Sequence, residues 1–288
     1  MIYRREMNRN LKGLIIWTLV ISGITILNLM MFPEVAKQQA SIDQLIRQLP
    51  PSLIKAFGMD RLSMADPLGY YATKGYLMII LFGSIYAVML AGNMLSKEHN
   101  EKTIEFLLSK PITRSGIVTQ KLLAIFTNLL IFNLAITVAN YIGFKMADTE
   151  FDIRVFILLS IAPFLLHLVF ASFSFLLSSK MKKSRNIVSI SLGLVFVMYF
   201  LDILSSISGK LESLKYITPY EYVDAVDIVI NKSISATYLG IMAGVIFICI
   251  LASYLIYQKR DISVFQKTLL KKTSPDSMHL RHRLMEHG

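Results

Sequence analysis

The chain alternates between long apolar runs and shorter polar segments. Six of the runs have the length of a membrane span: residues 13–32, 75–95, 122–144, 155–177, 187–204 and 238–257. A helix rises about 1.5 Å per residue, so about twenty residues cross a hydrocarbon core of about 30 Å. With no water in that core, each run satisfies its own backbone only as a helix. The polar segments are patterned too. After the first run, Ile42, Leu45, Ile46 and Leu49 form a helical stripe behind a Ser41/Gln44 capping box, and Pro50 and Pro51 stop it. A second short helix is expected over 53–57, ending at Gly58. After the fifth run, Thr218 as cap, Pro219 in the first turn and Glu221 as capping-box partner predict a helix with Val223, Val226 and Ile230 on one stripe. The fold class expected is an all-α integral membrane protein with six transmembrane helices. A short cytoplasmic helix joins spans 2 and 3, and short extracellular helices lie between spans 1 and 2 and between spans 5 and 6.

The most charge-dense segment is SKEHNEKTIEFLLSKPITRSGIVTQK, Ser96 to Lys121. Asn100 can cap a helix that Pro111 must end, because the residue before a proline is pushed out of the helical region. Ile104, Leu107 and Leu108 fall at i, i+3 and i+4 on one stripe, and Glu98, Glu101, Lys102 and Glu105 lie elsewhere. A helix of about three turns is marginal alone and needs a surface to dock on. This is the piece a partner protein would grip.

Composition fits the membrane reading. Apolar residues make up 54% of the chain and charged residues 17%, and the mean hydropathy is +0.55, far from an ordinary soluble domain. The net charge of +11 forms no nucleic-acid patch, because the basic residues sit between apolar runs, where they act as topology signals. Twenty Lys and Arg fall on the side holding both termini, the Ser96–Lys121 segment and the loop 180–185, against ten on the other side. Acidic residues divide the opposite way, seven to twelve. Both termini are therefore expected in the cytoplasm of a multi-pass protein of the cell membrane, of bacterial type. Arg4, Arg5, Arg9 and Lys12 resemble a signal-peptide n-region, but the run after them has full spanning length and no small-residue cleavage site follows. Residues 3–11 are expected as an amphipathic lead-in lying on the membrane surface. Residues 1–262 are expected to form a single transmembrane domain, and 263–288 read as a basic, disordered cytoplasmic tail. His279, His282 and His287 belong to that tail rather than to a metal site. Cys249 is the lone cysteine, so no intrachain disulfide forms.

Polar residues within the spans are few. Thr18, Ser22, Thr25 and Asn28 share a face of span 1, and Asn133, Thr137 and Asn140 make a seam on span 3. They can line a pathway or hydrogen-bond between helices, and both readings stay open. His167 in span 4 is expected to be neutral and bonded to a serine or threonine across helices, the alternative being a proton or substrate site. Asp202, near the end of span 5, is expected to cap or to find a structural partner, and Pro163 to kink span 4. The spans hold no paired carboxylates of the kind a membrane-embedded hydrolase needs. No G-x-x-x-x-G-K-[ST] occurs, so phosphates are not cradled by that route.

Glu98 followed by EKTIEFLLSKPITR resembles the signature between the second and third spans of ABC type-2 permeases. That signature runs roughly as an acidic residue, Gly-Thr, Glu, Leu-Leu and Pro-(Val/Ile)-(Ser/Thr)-Arg. YITPYEYVD (216–224) and YQKRDI (257–262) are similar to family stretches after spans 5 and 6. Lys102 stands where the family usually has Gly, and the chain after Phe265 is longer than the pattern needs. The resemblance implies a subunit that pairs with a second permease copy or paralogue in the lipid bilayer and sits on cytoplasmic ABC ATPase subunits. ATP and Mg would be held by those partners, so the resemblance implies no cofactor in this chain, no enzymatic activity of its own and no nucleic-acid partner. The short helix would be the coupling helix. Ile104, Leu107 and Leu108 would be its docking knobs and Glu101 and Glu105 its ion-pairing residues, with Glu98, Thr103, Pro111 and Arg114 completing the signature. The segment around 218–230 would be a pair of short outer helices that plug the pathway.

The function expected is that of an ATP-driven export permease whose cargo is an amphipathic peptide or antibiotic-like molecule. The alternatives are a non-transporting membrane anchor or sensor for an ATPase, and a secondary transporter, which would show repeat symmetry and midplane charges. The topology is directly testable. In a Cys249→Ser background, Lys55→Cys should react with a membrane-impermeant maleimide added outside intact cells, and Lys183→Cys should react only after permeabilisation. The reverse pattern overturns the orientation.

Overall fold

A computed structural model describes residues 2–46, 48–56, 58–97, 113–181, 183–207 and 209–259. Among the described residues six helices are long and apolar enough to cross a membrane. Span 1 is Ile2–Lys37, span 2 is Gly75–Gly92 with the helix Pro67–Thr73 leading into it, and span 3 is Arg114–Met146. Span 4 is Ile153–Lys180, span 5 is Ser184–Ile207 and span 6 is Ala236–Lys259. No strand is present among the described residues.

Hydrogen bonds between distant residues sort the helix ends into two groups. At one end the start of span 1 meets span 3, through Ile2 N–H and Tyr3 N–H donating to Gln120 Oε1 at 2.9 and 3.2 Å. Ser96, after span 2, meets Ser184 at the start of span 5 at 2.7 Å, and Arg114 at the start of span 3 donates to the Gln258 carbonyl of span 6 at 2.7 Å. At the opposite end Asn140 of span 3 donates to Tyr71 Oη at 2.9 Å, and Lys232, before span 6, pairs with Asp152 at the start of span 4 at 2.9 Å. The six spans therefore run antiparallel in turn. Residues 98–112 connect spans at the first end, called here the root end. The segments 38–66 and 208–235 connect spans at the distal end.

Spans 2 and 4 form the centre. Of their most apolar stretches 67% and 61% of residues are buried, against 17% in each of spans 5 and 6. Span 2 earns that place with small side chains: Gly83, Ala87 and Ala91, at successive i, i+4 spacing, let span 4 come close. A Cβ on Gly83 would stand 2.2 Å from His167 Nε2, so the imidazole lies where a side chain would otherwise be. Serines on span 4 then stitch the centre together. Ser174 Oγ donates to the Val88 carbonyl at 2.9 Å and accepts from Ser191 Oγ of span 5 at 2.9 Å.

Several details differ from the sequence expectation. Residues 3–11 do not form a separate surface helix. They are the first turns of one unbroken 36-residue helix, about 54 Å long, because Ile2 and Glu6 bury themselves against span 3. The first connecting helix begins at Gln39 rather than behind Ser41, since the chain barely breaks after span 1: Gln38 N–H still reaches the Glu34 and Val35 carbonyls. The helix Pro67–Thr73 was not anticipated. Asp66 caps it, accepting from Gly69 N–H at 2.7 Å, and Pro67 takes the first turn. Span 4 continues helically through Pro163.

The turn that launches span 2 leaves no room at Gly69, where a Cβ would stand 2.3 Å from the Ser63 carbonyl oxygen, a backbone atom that cannot step aside. Gly69→Ala should therefore destabilise the protein by about 1–3 kcal/mol. Gly13→Ala, at an open position, should leave the thermal midpoint in detergent unchanged.

Candidate functional site

The flanks of residues 98–112 are the most heavily anchored part of the root end. On the incoming side, Leu95 N–H and Ser96 N–H both donate to Ser178 Oγ of span 4, at 3.0 and 3.1 Å. Two free backbone donors just past a helix end are thus satisfied by one hydroxyl. Ser96 also shares a hydrogen bond with Ser184 of span 5, and the Met94 carbonyl accepts from Lys121 Nζ. On the outgoing side, Thr113 caps span 3, accepting from Gly116 N–H at 3.1 Å. Arg114 and Ser115 bond to Gln258, and Thr119 bonds to Tyr254, tying this flank to span 6.

Lys121 joins both flanks. It is 0% exposed and Glu6 is 2% exposed, with Nζ 3.4 Å from Glu6 Oε1. Arg5 sits on the same carboxylate at 3.2 Å. Burying such charges is tolerated only when they are paired and hydrogen-bonded. One ammonium therefore ties the start of span 1, the end of span 2 and the start of span 3. The four other spans, 1, 4, 5 and 6, each contact one flank or the other.

The signature residues Glu98, Glu101, Thr103, Ile104, Glu105, Leu107, Leu108 and Pro111 lie outside the described residues. Arg114 is the one signature residue described. The seam residues are closed into helix contacts. Thr25 is 0%, Asn133 6% and Asn140 1% exposed, and Thr18, Ser22 and Thr137 are half-buried. Thr25 donates to the Ser22 carbonyl, Asn133 to Leu129 and Thr137 to Asn133, all within their own helices. Asn140 reaches across to Tyr71. His167 meets the Ile79 carbonyl at 3.3 Å rather than a serine or threonine. The close approach at Gly83 puts its ring against span 2 backbone, where a carbonyl is the acceptor at hand.

At the distal end the segment between spans 5 and 6 folds into the bundle as a wedge. It begins with a 3-10 helix, Gly209–Tyr216, followed by a 3-10 turn Glu221–Val223 and a helix Ala225–Asn231. The cap expected at Thr218, Pro219 and Glu221 is corrected here. Thr218 Oγ1 accepts from Tyr220 N–H and donates to the Met198 carbonyl of span 5, so it anchors a turn. The helix proper starts later, with Asp224 Oδ1 accepting from Val226 N–H at 3.1 Å. A carboxylate held by a backbone N–H at the next turn outcompetes the earlier hydroxyl. Tyr76 donates to the Val223 carbonyl at 2.7 Å, Tyr220 packs on Phe170 and Tyr199, and Arg61 pairs with Asp227 at 2.6 Å. Desolvation pushes the Glu221 carboxyl up to about 7, with neighbouring Asp224 adding to it. Desolvation likewise raises Asp224.

Six antiparallel spans with a wedge at one end and an anchored connecting segment at the other define a polytopic membrane permease. The chain belongs to the ABC-2 transporter family: residues 1–262 match the family described as ABC-2 family transporter protein. No match is found among curated proteins.

Sequence reasoning missed Glu6, Lys121, Ser178 and Tyr220. The one signal for Glu6 was its sign, an acidic residue inside a basic run. Nothing in the sequence pointed to a partner 115 positions away. Lys121→Met should lower stability by about 3 kcal/mol, because it leaves a buried carboxylate underpaired. The double variant Glu6→Gln/Lys121→Met should recover most of that loss in thermal unfolding. Equal loss in both would mean that the pair is not what holds the root.

Proposed function

We propose that this chain is the membrane subunit of an ATP-driven exporter, working as a dimer with a second permease and driven by separate ATPase subunits docked on residues 98–112. The observation that carries the reading is the anchoring of that segment's two flanks to every other span. A pull on it is delivered to the helices rather than absorbed by a loose loop. Family membership supports an ATPase partner, since ABC-2 permeases generally work with one. The root end is then cytoplasmic, in keeping with the excess of Lys and Arg on that side.

Motion follows as a population shift between discrete packings. When the two ATPases close, they draw the docking segments together. Lys121 carries the displacement to spans 1 and 2, and Ser178 and Ser184 carry it to spans 4 and 5. At the distal end the wedge, held by Tyr76 and Thr218, moves with spans 2 and 5 and opens or seals the exit. The exposed apolar faces of spans 1, 5 and 6 supply surface for lipid and for the second permease. An amphipathic peptide-like or antibiotic-like cargo fits an interior whose seams are amide and hydroxyl rather than charged.

The test is Glu105→Lys, in proteoliposomes containing this chain and its ATPase. Placing a cation against a basic docking groove costs enough binding energy that ATP-driven cargo efflux should fall by about tenfold or more, with membrane insertion and thermal midpoint unchanged. Unchanged efflux rules out docking through this segment. An ATPase that binds the chain without any efflux favours the anchor or sensor role.

A further inference from the structure

At the distal end a cavity of about 460 Å³ opens between the wedge, spans 2 and 5 and the first connecting segment. Its size falls in the range that takes a small organic ligand. Carboxylates reach it from separate elements: Asp202 from span 5, and Glu221 and Asp224 from the wedge. Two polar atoms lining it lack a hydrogen-bond partner among the described residues. One is Asp202 Oδ1 and the other is the hydroxyl of Tyr220, a residue only 1% exposed. Ser84 donates its own proton to the Ile80 carbonyl at 2.6 Å, so towards the neighbouring Tyr220 hydroxyl it can only accept, and the lone pairs of that hydroxyl stay open to a donor. Buried polar atoms are nearly always satisfied, and an exception next to a cavity marks the place of a missing partner.

The chemistry of that partner follows from the walls. Five acidic residues line the cavity, Asp60, Asp202, Glu221, Asp224 and Asp227, against three basic ones, Lys55, Arg61 and Lys215, and Arg61 pairs directly with Asp227. The wall therefore offers acceptors and negative charge, and calls for a donor that is positive. A bare metal ion fits poorly, because no three His, Cys, Asp or Glu converge on one point among the described residues. Carboxylates spread over several elements suit a cation that spreads its donors. The ring of Tyr220 and the side chains of Ile80 and Val226 give the same cavity apolar wall for the ligand's body.

We propose that this cavity binds the ammonium or guanidinium group of a small amphipathic ligand, set between Asp202 and Glu221 with the Tyr220 hydroxyl beside it. As the last station of a cationic cargo the site rests on the export reading, whereas binding itself does not. Only the ionised carboxylates attract the cation. Glu221 is faced by Asp202 from span 5, Asp224 and Asp227 from the following turn and helix, Lys215 from the preceding 3-10 helix, Arg61 from the first connecting segment and Tyr238 from span 6. It titrates at about 7, so affinity rises from below that pH to above it and falls again on acidification.

The experiment uses the full chain in lipid nanodiscs without ATP or partner, and equilibrium dialysis of two probes. One is the N-acetylated dipeptide amide Ac-Phe-Arg-NH2. The other is its uncharged counterpart with citrulline in place of arginine. The charged probe should bind at least about tenfold more tightly, as a charge-assisted hydrogen bond to carboxylate implies. Asp202→Asn and Glu221→Gln should each remove about tenfold of that affinity, and Glu221→Gln should flatten the rise around pH 7. Each variant is compared at an unchanged thermal midpoint, and if Asp202→Asn fails to fold, Glu221→Gln decides. Equal binding of both probes, no binding at millimolar concentration, or unaltered affinity in the folded variants overturns the site. No binding of the charged probe by the unaltered chain, with intact ATP-driven efflux, refutes this site alone. Intact binding without efflux refutes the export reading alone.

Discussion

Lys121 is a full charge with no exposure, at the junction of three helices, and the root end is arranged around keeping it satisfied. Its ammonium needs acceptors on more than one side. Glu6 supplies a carboxylate from span 1 and Met94 a carbonyl from the end of span 2. Removing water from both charges costs several kcal/mol per ion, by order of magnitude, unless the pairing geometry is kept. Meeting that requirement fixes the register between spans 1 and 3. It also fixes where span 2 stops, and so where the polar segment begins. A neutral pair would hold the helices together but would tolerate sliding.

The same economy of polar groups runs through the bundle. In an apolar surrounding a hydroxyl or amide without a partner is costly, so each one doubles as a positional marker. Ser178 accepts two backbone N–H groups just past the end of span 2, and Ser174 bridges spans 2 and 5. Asn140 finds Tyr71, and His167 lies over Gly83 against the backbone of span 2. The small residues that admit these contacts put spans 2 and 4 at the centre, leaving spans 5 and 6 to face outward. The accounting is not complete: Ser22 Oγ, Tyr86 Oη, Asn128 Oδ1, Asn140 Oδ1 and His167 Nδ1 lack a partner among the described residues, as do Asp202 Oδ1 and Tyr220 Oη beside the distal cavity. The two ends differ in character: the root end is tied by a buried ion pair, and the distal cavity is lined by carboxylates.

The spans were legible in the sequence because twenty apolar residues in a row admit one solution in lipid, a helix. The alternation of Lys- and Arg-rich connections with acidic ones carried an expectation of orientation for a similar reason, since charge cost is set by position along the chain. The segment 96–121 announced itself by composition and by its signature. Less legible was whatever depends on competition between neighbours. Thr218, Pro219 and Glu221 spell a helix start, yet Asp224 begins the helix, because Thr218 is drawn to the Met198 carbonyl. Ser41 spells another start, yet the helix opens at Gln39 as a near-continuation of span 1.

What the sequence determined alone, then, is the number and approximate place of the membrane helices and the presence of a polar segment between spans 2 and 3. Those follow from properties summed along the chain. The tertiary structure decided which polar residues meet. Glu6 with Lys121, Ser178 with the end of span 2, and Asp202 with Tyr220 around a shared cavity are encounters between residues far apart in sequence. No local pattern encodes them, because a hydrogen bond in an apolar medium is fixed by which helix faces pack together, and that is a property of the whole bundle.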